Sequence, residues 1–406
     1  MQASVIINGF AVMFLINRYL GIAMYGVYVI ILAIVNTLSN IVTMRGIEVI
    51  PKFYVREYDR QNYQLAKMTL IMGSLIDILS ALILLACVYG VAGLLSHYFI
   101  KDEDCSGLII LYSFVAVIGY LKNTISGYFL AIKNIKFYNN LIIFENILKI
   151  SAIIVCIAWL NITLENLAYS FLAATAISIL INVYYFMRFL DKKVLSATIK
   201  TNMKFIKEYL YFNINTFASS LLKAGHQNID SLILSYFVNP AAVGLYQTIK
   251  KFFVPMQFIA TPFATLNYSR YLLMYERKEY QNIKRDVVSI TKHILIVSFA
   301  YGTLVLSLLP WLSSAMNISY DFDITINAFL IFIYVLLLNF GWWNRMISLV
   351  ANPSLSLWVT IYLNFMTLGV CMLGAHLYQL NGLLIGYIVI FISIQAFYMF
   401  YFRRKL

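Results

Sequence analysis

Long apolar runs broken by short polar connections set the rhythm of this chain, and twelve of them can be placed: 2–20, 26–44, 67–91, 106–127, 139–159, 166–187, 209–231, 244–265, 290–311, 323–343, 355–375 and 382–402. About 20 predominantly apolar residues in a helix rising ~1.5 Å per residue cross the ~30 Å hydrocarbon layer of a bilayer. A soluble helical protein would carry a polar stripe along each run, and no such stripe is present. The pattern predicts an all-α polytopic membrane protein.

The polar connections sharpen that expectation. Most of the 30 Lys and Arg lie after the second, fourth, sixth, eighth and tenth runs or in the tail. Basic residues in short loops mark the cytoplasmic side, so both termini are expected there. Composition agrees, with 62% hydrophobic and 12% charged residues. The net charge of +13 then reflects topology and attraction to anionic lipid. A nucleic-acid surface would interleave bases and aromatics on one exposed face, which this sequence does not do. Met1 to Asn17 lacks a basic leader and a small-residue cleavage site, and reads as a span. Cys87, Cys105, Cys156 and Cys371 form no C-x-x-C pair, so neither a disulfide framework nor a metal site is expected.

The runs fall into two sets of six. Tyr25-Gly26-Val27-Tyr28 follows the first run, and Val243-Gly244-Leu245-Tyr246 follows Asn239-Pro240 after the seventh. Gly26 and Gly244 are 218 residues apart. At the same offset Lys67 meets Arg285, Asn134 meets Asn352, Asn146 meets Asn364 and Tyr169 meets Tyr387. Six spans per half make a parallel repeat, since both halves enter the membrane from one side. The expected organisation is a six-helix lobe over 1–187, a lysine-rich cytoplasmic linker over 188–208 and a second lobe over 209–406. Two such lobes around a cavity form an architecture suited to alternating access, which points to a transporter.

Ionisable residues within spans are costly and need a reason. Asp77, Glu145, Lys149, Lys223, Asp230, Lys250 and Lys251 are such residues. Glu145 and Lys149, four apart with the acid first, suit an internal helical ion pair. Lys223, His226 and Asp230 are expected on one face of one helix. Asp230 and Lys250 lie at similar depth in the hairpin, so a pair between Asp230 and Lys250 or Lys251 is the plain structural expectation. Cations left over after that pairing suit an anionic cargo such as a diphosphate.

Other chemistry is sparse. Asp102-Glu103-Asp104 and Asp321-Phe322-Asp323 have a D-x-D form that transferases use to hold a metal, but both read as solvated outer loops. No phosphate-cradling Gly-x-x-x-x-Gly-Lys loop and no His-Glu-x-x-His is present, so no cofactor, metal or enzymatic activity is expected. The 31 Tyr and 29 Phe are expected mostly to face lipid. Trp342-Trp343, beside Arg345, fit a helix anchor better than a sugar platform.

Arg18-Tyr19-Leu20-Gly21 with Tyr25-Gly26-Val27-Tyr28, the hairpin from Asp230 to Tyr246, and Ala131-Ile132-Lys133-Asn134 before the fifth run resemble the Wzx-type polysaccharide flippases. That family shares a superfamily with the multidrug (MATE) exporters and the lipid II flippase, and the resemblance extends over essentially the whole chain. It implies a MATE-like fold in a bacterial cytoplasmic (inner) membrane. It also implies a cargo of undecaprenyl-diphosphate-linked oligosaccharide, the O-antigen or a related unit, moved from the inner to the outer leaflet. Membrane lipid, a polysaccharide polymerase and a ligase are the implied partners. The lipid II flippase holds diphosphate with arginines of its first spans; Arg18 is similar in position and Arg45 is a looser match. The expected cationic cavity therefore comprises Arg18, Arg45, Lys149, Lys223, Lys250 and Lys251, with Asp77, Glu145 or Asp230 as the site of coupling to H⁺ or Na⁺. A cation-coupled multidrug exporter is the alternative. A membrane polymerase fits less well, because it usually has a large outer loop.

Overall fold

The computed structural model describes residues 2–44, 46–159, 161–198, 202–224, 228–344 and 353–405. Those residues are almost entirely helical and include no strand. In chain order the helices are α1 (Gln2–Leu20), α2 (Ile22–Val42), α3 (Gly46–Asp59), α4 (Tyr63–Leu95), α5 (Ser106–Tyr120), α6 (Lys122–Ala131), α7 (Ile135–Trp159) and α8 (Leu164–Phe189). They continue as α9 (Lys192–Ser196), α10 (Met203–Ala224), α11 (Ile229–Phe237), α12 (Pro240–Glu276), α13 (Tyr280–Ala315), α14 (Phe322–Phe340), α15 (Pro353–Met366) and α16 (Met372–Lys405).

Every expected span overlaps one of these helices, and the polar punctuation explains the ends. Asn62, Thr163, Asn239 and Asp321 each accept a backbone N–H of the following first turn, and Pro240 occupies the first position of α12. Asp321 of the second D-x-D sequence is therefore a helix cap. Gly21 separates α1 from α2 at φ +82°, a left-handed turn that glycine adopts without strain.

Eight segments among the described residues are long and apolar enough to cross a membrane, with Ser4–Leu20 a shorter apolar helix. One of the eight, Trp358–Tyr401, is two spans, because α16 breaks its helical geometry at Tyr378 and Gln379. The turn is tight: a Cβ on Gly382 would lie 1.9 Å from the Gly374 carbonyl oxygen. α10 and α12 are absent from that set because lysines, arginines and two prolines, Pro255 and Pro262, dilute them. Carbonyls in the proline-containing stretch find side-chain donors: Tyr301 Oη bonds Phe252 O at 3.0 Å and Asn339 Nδ2 bonds Met256 O at 2.9 Å.

The expected span over 209–231 crosses residues 225–227, which lie outside the described residues; α10 is described to Ala224 and α11 from Ile229. The expected face of Lys223, His226 and Asp230 falls on that stretch. One expectation needs correction: the aromatics do not mostly face lipid. Tyr25, Tyr128, Tyr209, Tyr246, Tyr271, Phe53 and Phe253 are among the largest fully buried side chains. Phe53 alone meets Phe205, Tyr209 and Phe212 edge-on, with centroids 5.1–5.7 Å apart.

The chain forms two compact units. The first is Met1–Leu15 with Ile30–Asn228, and the second is Ile16–Val29 with Ile229–Leu406. In the first, the described parts of the lysine-rich connection are docked. Lys67 Nζ donates to the carbonyls of Leu195 (2.6 Å) and Ala197 (3.0 Å), Tyr58 Oη bonds Asp191, and Arg56 Nη1 meets Glu208 at 2.5 Å. In the second, the tip formed by the end of α1 and the start of α2 packs on α12.

Candidate functional site

Within the first unit, charge collects where α5 gives way to α6. The helix breaks at Leu121 and restarts at Lys122. Lys122 Nζ reaches Glu145 Oε2 on α7 at 2.5 Å, and Lys149 Nζ reaches Glu145 Oε1 at 2.8 Å. Two ammonium groups therefore share one carboxylate, and this partly buried trio carries a net positive charge. Next to it on α7, Asn146 Nδ2 donates to Ser4 Oγ (3.2 Å) and Asn146 Oδ1 accepts from Asn8 Nδ2 (3.3 Å), both on α1. Lys122 lies inside the run 106–127, five residues from its cytoplasmic end, and nothing in the sequence marks it as the partner of Glu145.

The same break gives Asp77 its partners. Asp77 is 1% exposed on α4. Its Oδ2 accepts from the Thr124 amide at 3.0 Å and the Thr124 hydroxyl at 2.6 Å. The first turn of α6 presents free N–H groups and the positive end of the helix dipole, which favour a carboxylate. Glu145 and Asp230 each hold a lysine, whereas Asp77 has no basic side chain as partner among the described residues.

In the second unit, Asp230 is buried at the start of α11. Its Oδ2 accepts from Tyr246 Oη at 2.6 Å and from Lys250 Nζ, and its Oδ1 accepts from the Ser231 amide at 2.8 Å. The hairpin pair expected from depth is thus formed, and Tyr246 completes it. A buried ion pair is tolerated when its remaining lone pairs are satisfied in this way. Lys251, the next residue on α12, is half-buried.

Closer to the hairpin tips the second unit is packed backbone against backbone. A Cβ on Gly26 would lie 1.7 Å from the Pro240 carbonyl oxygen, and one on Gly244 would lie 2.2 Å from that of Ile22. The two glycines singled out by the 218-residue offset therefore face each other. Asn17 Nδ2 donates to the buried Thr248 Oγ1 at 2.9 Å. Arg18 Nη1 donates to Ala315 O at 2.7 Å, which caps the C-terminal end of α13.

Of the remaining expected site residues, Arg45, His226 and Arg345 lie outside the described residues, as does the side chain of Lys223. Trp342 and Trp343 are buried, and Trp342 Nε1 donates to Thr291 Oγ1 at 2.9 Å, the arrangement of an anchor. Among the described residues no cluster of three or more His, Cys, Asp or Glu is placed to hold a metal.

Comparison with known families decides the lineage. The model of the family described as polysaccharide biosynthesis protein matches residues 1–268. The chain belongs to that family. Its fold is that of a multidrug resistance MATE family transporter of the MOP superfamily in an inward-facing conformation, at TM-score 0.74 and 15% identity, covering 99% of this chain and 94% of the other. It also resembles the lipid II flippase MurJ in an inward closed conformation, at TM-score 0.72 and 14% identity over 98% and 85% of the two chains. An outward-facing MATE family transporter aligns at TM-score 0.58 and 15% identity, over 99% and 94%. No curated protein matches the sequence. The chain is a multi-pass membrane protein of a polysaccharide biosynthesis family with the fold of flippases and exporters.

Proposed function

We propose that this protein flips a polyprenyl-diphosphate-linked oligosaccharide, an O-antigen or related repeat unit, from the cytoplasmic to the periplasmic leaflet of the inner membrane. Both termini lie in the cytoplasm, and no covalent bond is made or broken. The observation that carries this reading is the Lys122–Glu145–Lys149 trio, where embedded positive charge exceeds its acid. Such an excess is costly in hydrocarbon and is offset when a diphosphate enters. Lys223, Lys250, Lys251, Arg18 and Arg45 are the further candidates for that cationic lining.

The halves 1–187 and 209–406, joined through 188–208, alternate access around the cargo while the polyprenyl tail stays in lipid. Opening requires the 16–29 tip to leave α12. Asp77 is the coupling site we favour over Glu145 and Asp230, because those two already hold lysines, whereas among the described residues Asp77 is held by neutral donors. Binding H⁺ or Na⁺ there removes the electrostatic reason for α6 to keep its first turn against α4. A polymerase or ligase then receives the exported unit.

The test is made in the native host with the gene deleted and upstream sugar transfer under control. Undecaprenyl-linked lipids are extracted, and the leaflet of the accumulated unit is determined. A complete unit on the inner leaflet, with loss of surface glycan, supports the reading. Complementation with Lys122→Met is expected to lower surface glycan by about 10- to 100-fold, the range for losing one hydrogen bond to a charged group. Unchanged lipids and glycan, with ethidium resistance on overexpression, would instead place the protein among multidrug exporters.

A further inference from the structure

α7 and α8 leave between them an open cavity of about 610 Å³ that the transport reading does not use. On α7 it is lined by Phe137, Asn140, Leu141 and Phe144; on α8 by Leu180, Ile181, Tyr184 and Tyr185. In the second unit α15 and α16 leave a cavity of about 340 Å³, lined on α15 by Leu355, Trp358, Val359 and Tyr362. These four positions lie 218 residues after the four of α7. Ser393, Ile394 and Phe397 of α16 lie 213 residues after Leu180, Ile181 and Tyr184, three of the four on α8. The two halves carry the same groove, in the size range of ordinary ligand sites.

Their rims differ. Lys136 is one helical turn before Asn140 on α7, and Arg188 is one turn beyond Tyr184 on α8, so both continue the faces that line the first groove. Both are exposed, and neither has an acidic partner among the described residues. Lys133, Lys192 and Lys193 lie at the same end. At the corresponding positions of the second groove the sequence has Ser354 and Tyr401. The outer lip of the first groove, Leu180 at 68% and Tyr184 at 60% exposure, opens sideways, which in a membrane-spanning chain means toward bulk lipid.

We propose that the α7–α8 groove holds an acyl chain of an anionic phospholipid from the leaflet at its basic end, with the phosphate between Lys136 and Arg188. The α15–α16 groove, with Ser354 and Tyr401 in those two places, takes an acyl chain with weaker headgroup preference. An apolar slot ending in unpaired cations matches a chain ending in a phosphate, and basic pockets between transmembrane helices are a known setting for such headgroups. Phospholipid rather than cargo is the occupant, because the groove faces the abundant lipid continuously and occupancy follows concentration. This inference rests on the membrane fold and not on the identity of the cargo.

The test uses the purified full-length chain in neutral detergent, with dioleoyl phosphatidylglycerol or phosphatidylcholine added and bound lipid counted by native mass spectrometry. The wild type is expected to retain phosphatidylglycerol preferentially, and Lys136→Gln with Arg188→Gln to weaken it about 30-fold at low salt, with phosphatidylcholine unchanged. Leu180→Trp, which fills the slot, is expected to remove the bound lipid. Ser354→Lys with Tyr401→Arg is expected to add a second selective site, a gain that misfolding cannot imitate. The proposal is overturned if the glutamine variant keeps its preference, if the gain variant acquires none, or if undecaprenyl diphosphate displaces the bound phosphatidylglycerol at equal concentration.

Discussion

Replacing Gly26 by alanine adds one methyl group where the structure has no room for it. The new carbon would stand 1.7 Å from the Pro240 carbonyl oxygen and 2.5 Å from its carbon. Comfortable contact is about 3.5–4.0 Å, so the first turns of α2 and α12 must part by nearly 2 Å. Both obstructing atoms are backbone, so no rotamer change relieves the clash. Overpacking of this kind costs about 1–3 kcal/mol, and the rigidity here places it near 2–3. That corresponds to a shift of about 30- to 150-fold away from the packed hairpin. Thr248 is 2% exposed beside this contact and serves as the reporter. With Cys87, Cys105, Cys156 and Cys371 changed to serine, a Thr248→Cys variant is labelled in intact cells with a membrane-impermeant maleimide. Gly26→Ala should raise the labelling rate by about the factor above. Gly244→Ala should do the same, and the two together should be less than additive because they relieve one contact. Gly90, with no neighbour within 4 Å of its added Cβ, is the control. Parental labelling in Gly26→Ala, or an equal rise in Gly90→Ala, would refute the reasoning.

Asp77→Asn keeps an oxygen that accepts from Thr124, so protein abundance should hold while export loses its response to collapse of the proton or sodium gradient; surface glycan before and after an ionophore measures this. Asp230→Ala strands Lys250 and removes the acceptor of Tyr246, and should lower stability by about 3–5 kcal/mol. Adding Lys250→Met should recover most of that loss in thermal unfolding of the purified protein, whereas a double variant as unstable as the single one would show the charge pair to be unimportant.

The helices were legible because length and polarity decide them locally: each apolar run overlaps a described helix, and the caps at Asn62, Thr163, Asn239 and Asp321 sit where short polar residues precede a run. The Asp230–Lys250 pair was legible because both residues are equally far from the same turn. Lys122 was not. Its role depends on a helix break at Leu121 that has neither proline nor glycine at the break itself, and on the rotation of α7 that brings Glu145 toward it. Aromatic burial was misread for a physical reason: lipid and protein core are alike apolar, so composition does not separate Tyr128, buried at 1%, from Tyr169, exposed at 59%.

The docking of α10 in the first unit and of residues 16–29 in the second bears on how chimeras of this protein should be made. A swap of halves with a homologue at the lysine-rich connection follows the seam expected from the sequence but cuts across both packed bodies. It would set a foreign Phe205 and Glu208 against the resident Phe53 and Arg56, and a foreign Pro240 and Gly244 against the resident Gly26. Exchanging residues 16–29 together with 229–406, and leaving α10 with its own half, keeps each set of partners intact. The boundary expected from the sequence repeat and the boundary along which pieces can be traded are different places in this chain.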